Sequence, residues 1–63
     1  MLSCVAYFRE SKDEKIMIIV NRNYHDIDYN LPEEFKFKKE LISGGYTQHS
    51  VNIPAYGAVV IKK

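Results

Sequence analysis

The sequence predicts an all-β fold, a small antiparallel β-sandwich of about six strands of the Greek-key type with no significant helix. Three observations carry this. Ile, Val, Thr, Tyr and Phe fill 21 of 63 positions while Ala occurs three times, a balance that favours pleated strands over helix. Short apolar or alternating segments recur at roughly ten-residue spacing, the rhythm of a sandwich or open barrel. Polar or Gly/Pro-containing breaks separate them, as turns require.

The first strand is expected over residues 3–10, with Tyr7 and Phe8 in the core and Cys4 as a small buried hydrophobe. Residues 11–13 form a connection of hairpin length. Residues 14–21 follow, and the unbroken run Ile16-Met17-Ile18-Ile19-Val20 predicts a central strand covered on both faces. After a turn at 22–24, residues 25–31 alternate. Ile27, Tyr29 and Leu31 share the packed face, and Asp26, Asp28 and Asn30 the solvated one. Pro32 ends this strand, and Glu33-Glu34 read as solvated loop. A fourth strand is predicted over 36–42 and stopped by Ser43-Gly44-Gly45. The fifth spans 46–53, with His49 at the core edge beside Val51 and Ile53. The turn Pro54-Ala55-Tyr56-Gly57 leads into a last strand over 58–61.

Composition weighs against several functions. The formal charge of +1 lacks the basic excess by which a small nucleic-acid binder gains affinity. No apolar run approaches a bilayer span, so no membrane partner is expected. No secretory segment is visible, and the expected location is cytoplasmic. A single cysteine excludes an intrachain disulfide, and His25, His49 and Cys4 have no metal-ligand spacing, so neither metal nor cofactor is expected. A core this small, unreinforced by crosslink or metal, points either to very good packing or to a piece of something larger.

The candidate chemistry is sparse. Asp26 and Asp28 would place their carboxylates about 7 Å apart on one strand face, a separation found in paired-carboxylate glycosidases. A general acid needs burial to raise its pKa, and this is the solvated face; pairing with Lys36 or Lys38 is the expected role. Lys36, Lys38 and Lys39 are expected to guard a sheet edge. Tyr24, Tyr46 and Tyr56 fall at turns, where their rings could stack on sugars; they are the candidate carbohydrate-binding residues.

The order of motifs is more specific than any one of them. Val5-Ala6-Tyr7-Phe8-Arg9-Glu10 is followed by Asp13-Glu14-Lys15-Ile16-Met17-Ile18-Ile19-Val20-Asn21, then Leu31-Pro32 and Glu40-Leu41-Ile42-Ser43-Gly44. Asn52-Ile53-Pro54-Ala55-Tyr56-Gly57-Ala58-Val59-Val60-Ile61 closes the series. Over nearly the whole chain this resembles the C-terminal β-domain of α-amylase-family glycoside hydrolases, in particular the neopullulanase, cyclomaltodextrinase and oligo-α-glucosidase branch.

The resemblance implies a parent that cleaves or transfers α-glucosidic bonds with retention, using an Asp nucleophile and a Glu acid/base on a (β/α)₈ barrel. It implies that residues 1–63 are a single accessory domain excised from that enzyme and packed on the barrel, with no catalytic residue. Family domains carry a further strand ahead of Val5, a departure here, and no barrel motif is present to give Asp26, Asp28 or Glu40 a catalytic role. Two alternatives stand beside this reading. One is a carbohydrate-binding module that holds α-glucan weakly; the other is a free-standing β-domain that binds another protein or nucleic acid.

Overall fold

The computed structural model describes residues 4–63 and is a two-layer antiparallel sandwich. Its strands are β1 (Cys4–Glu10), β2 (Lys15–Asn21), β3 (Ile27–Asn30), β4 (Lys39–Glu40), β5 (Ser50–Ile53) and β6 (Ala58–Lys62). One layer has four strands in the order β1-β2-β6-β4, and the other pairs β3 with β5. The chain forms the β1–β2 hairpin, then shuttles between layers until β6 returns between β2 and β4. Ser3, at the start of the expected first strand, lies outside the described residues.

The hairpin is closed by Ser11 N–H donating to the Glu14 carbonyl at 2.8 Å. β2 is central, as its apolar run predicts, flanked by β1 and β6. Its alternate residues Met17 and Ile19 enter the core with Leu31, Phe35, Ile53, Val59 and Ile61. Each fully buried Ile or Phe in this set contributes about 1.5–3 kcal/mol relative to exposure. Cys4, Ala6, Tyr29 and Val51 pack partly buried against it.

Phe35 is a core residue because Glu33-Glu34, expected as plain loop, open a short 3₁₀ turn over Glu33–Phe35. The Phe35 N–H donates to the Pro32 carbonyl at 3.0 Å, which swings the ring inward to 5.7 Å from the Phe8 centroid.

The fourth and fifth strands are shorter than predicted. β4 is reduced to Lys39–Glu40, and the segment expected to open the fifth strand instead folds back on it. Glu40 N–H donates to the Gly45 carbonyl and Thr47 N–H to the Lys38 carbonyl, both at 2.8 Å. Gly44 turns this corner at φ 82°, a conformation that suits glycine. Buried Thr47 fastens the corner: its hydroxyl donates to the Phe35 carbonyl and accepts from the Lys38 N–H. The lysine-bearing edge strand is thereby partly covered.

Candidate functional site

The two layers present opposite outward surfaces. On the β3–β5 layer the outward residues are Asp28 and Asn30 against Asn52 and Ser50, joined by an Asn52 Nδ2 to Asp28 Oδ1 hydrogen bond at 3.1 Å. This layer is finished toward water. The four-stranded layer is not.

Its inward residues alternate with an outward set that the register places in rows across the sheet. Val5, Val20 and Ala58 form one row, and Tyr7, Ile18 and Val60 the next. Leu41, whose N–H donates to the Val60 carbonyl at 2.7 Å, adjoins that row at the β4 edge. Tyr7 and Leu41 are 48% and 44% exposed, and Ile18, Val20 and Val60 are half-buried. Tyr7 is therefore not the core residue its strand suggested. In register Tyr7 is one residue out of phase with Ala6 and Phe8, which face Ile19 and Met17. Phe8, also expected in the core, is likewise 48% exposed and lies at the core's edge against Phe35.

The third row is Arg9, Ile16, Lys62 and Lys39. A groove of about 570 Å³ runs along this end, lined by Arg9, Glu10, Glu14, Ile16, Ile18 and Val60 among others. The second cover that the β2 run predicted is not supplied by the described residues: one face of β2 meets the core, and the other ends in this apolar surface.

The candidate sugar-binding tyrosines are the three most exposed large apolar side chains among the described residues, at 75%, 73% and 69% for Tyr24, Tyr46 and Tyr56. Tyr24 and Tyr56 lie at one end, where Tyr56 N–H donates to the Asn23 carbonyl at 3.2 Å. Tyr46 is bridged to Lys39, at the opposite end of β6, about 13 Å away along the strand. It lines a separate cleft of about 640 Å³ with Pro54 and Val59. The three tyrosines do not form one platform.

The Tyr24–Tyr56 end is organised by Asn21, which is 1% exposed. Its Nδ2 donates to the carbonyls of His25, Ile53 and Pro54, and its Oδ1 accepts from the Asn23 backbone and side chain. The adjoining turn explains the Pro-x-Tyr-Gly ending. A Cβ on Gly57 would meet Pro54 at 3.1 Å, and Tyr56 sits at φ 56° to let Gly57 N–H reach the Pro54 carbonyl.

Glu40 is the one buried carboxylate among the described residues. Glu40, 5% exposed, accepts the N–H groups of Ser43 at 2.7 Å, Val60 at 2.9 Å and Ile42 at 3.0 Å. Burial pushes its pKa up, but the Ser43 side chain and the N–H groups of Val60, Ser43 and Ile42 outweigh this and hold it below the ordinary value. It is a structural cap for the corner.

Asp26 and Asp28 do not pair with Lys36 or Lys38, because their neighbouring strand is β5. Asp26 accepts the Ala55 N–H, while Lys36 pairs with Glu33. His49, expected at the core edge, is exposed and meets Phe37 edge-on at 5.1 Å between centroids, because β5 begins only at Ser50. No cluster of three His, Cys, Asp or Glu side chains suited to a metal occurs among the described residues.

Fold and surface together define a β-sandwich with one layer finished toward water and one left apolar. No protein-family model, curated protein or solved structure matches the chain.

Proposed function

We propose that this chain is the non-catalytic C-terminal β-domain of an α-glucan-processing glycoside hydrolase, packing on the catalytic (β/α)₈ barrel and stabilising it. The observation that carries the reading is the uncovered apolar face of the four-stranded layer. Contiguous apolar surface of this kind marks a place meant to be covered. The motif series gives the parent its class. On this reading the chain needs no cofactor and turns over neither maltooligosaccharides nor pullulan.

The test is the native polypeptide that carries this sequence, recovered from its source with an antibody raised against the chain. The expected result is a protein several times heavier than 7.4 kDa whose preceding segment reads as a (β/α)₈ barrel. A native polypeptide of 7.4 kDa, or a preceding segment of another class, overturns the proposal, as does hydrolysis of pullulan by the pure chain.

A second reading is favoured by the exposure of Tyr24 and Tyr56 beside one another. There the chain would hold α-glucan weakly through ring stacking. Titration of ¹⁵N-labelled chain with maltoheptaose tests it: shifts at both tyrosines support it, and unchanged spectra at saturating sugar remove it.

A further inference from the structure

The uncovered face has a direction, set by its third row. Two rows are apolar throughout, and the next carries Arg9, Lys62 and Lys39 around Ile16 on the same side of the sheet. Glu14 engages Lys62 at 3.5 Å, whereas Arg9 and Lys39 have no carboxylate within ion-pair distance among the described residues. Cations standing free beside an apolar strip lose hydration when the strip is covered, and that loss is offset only if opposite charge arrives with the partner. A partner apolar over its whole contact would strand Arg9 and Lys39; one with a basic border would repel them.

We propose that this face docks a protein surface made of an apolar strip bordered along one side by carboxylates, seated so that the carboxylates meet Arg9 and Lys39. The apolar rows supply most of the attraction, and the cationic row fixes which way round the partner lies. This deepens the accessory-domain reading by naming the chemistry of the covering surface. It does not depend on that surface belonging to a barrel.

The test uses the full 63-residue chain and two synthetic amphipathic helical peptides with identical leucine stripes, one flanked by glutamates and one by lysines. ¹⁵N spectra are followed as each is added. The glutamate peptide is expected to shift amides of β1, β2 and β6, with affinity about tenfold above the lysine peptide, as two exposed ion pairs near the upper end of their usual worth would give. The preference should fade between about 0.1 M and about 1 M salt, as the screening length falls from about 10 Å to about 3 Å. R9E/K39E should reverse it while leaving the dispersed spectrum of the folded chain intact.

Equal affinity for both peptides, shifts confined to β3 and β5, or no binding by either overturns the proposal. So does a preference for anionic phosphatidylglycerol vesicles over the glutamate peptide, which would assign the face to a lipid surface. The native mass of the polypeptide decides the accessory-domain reading separately, so either idea can fail without the other.

Discussion

Replacing Glu40 by alanine removes the acceptor shared by three backbone N–H groups. Hydrogen bonds to a charged group are each worth about 1.5–3 kcal/mol net. Ile42 and Ser43 lie in an exposed corner where water replaces the carboxylate, so most of the cost falls on the half-buried Val60 N–H and on the loosened corner. The expected loss is about 2–3 kcal/mol, within the range for one unsatisfied buried donor plus a partly compensated pair. A domain of this length has about 3–9 kcal/mol in total, and such a loss lowers the melting temperature by about 10–20 °C.

Acid titration separates charge from shape. The folded-state pKa of Glu40 lies below its unfolded value, so its contribution is complete above the unfolded pKa and is lost as pH falls through the folded one. Glu40→Gln keeps one acceptor oxygen and cannot titrate, so its stability should be lower than the parent's at neutral pH and flatter through the acid range. Glu34, held down by hydrogen bonds from Lys15 and Lys63, accounts for the slope that remains. Thermal melts followed by circular dichroism from neutral to acid pH measure both effects. An alanine variant within about 0.5 kcal/mol of the parent at neutral pH, the scale of an ordinary surface substitution, would refute the capping argument. An undiminished acid slope in the glutamine variant would refute the charge argument.

Asn21→Ala should cost about 3 kcal/mol in urea unfolding, since it strands several buried polar groups, and Asn23 and Tyr56 amides should exchange faster with solvent. Ile18→Thr on the outward face should change the chain's stability by less than about 1 kcal/mol and reduce binding of a hydrophobic dye, whereas Ile19→Thr on the core face should cost more than about 2 kcal/mol. Tyr56→Asn should raise stability by about 0.5–1 kcal/mol, because asparagine accepts the positive φ that tyrosine occupies at a cost; a loss of stability there would show that the ring itself holds the turn.

The fold was legible wherever a strand's own residues declare both faces. The alternation Ile27-Asp28-Tyr29-Asn30 announces one wet face, and the run through Ile18 announces none. What could not be read depends on partners distant in the chain. Glu40 looks like any solvated glutamate until Val60, twenty residues on, brings its N–H. Asn21 looks like a strand end until the Ile53 carbonyl, 32 residues away, arrives over it. The fourth and fifth strands were overextended for the same reason, since residues 38–47 satisfy their backbone groups by folding on themselves. The tyrosines could be selected as exposed from their turns, but their separation along β6 is a matter of register that no local pattern carries.

The Asn21 latch also sets how the Tyr24–Tyr56 end moves. One buried amide holds the loop after β2 and the turn before β6 at the same time, and those segments carry Tyr24 and Tyr56. Opening either segment frees one side of the amide and leaves it less firmly placed for the other, so the two loops are expected to loosen together. Whatever stiffens the Tyr24 loop is therefore expected to steady the backbone of the Tyr56 turn as well.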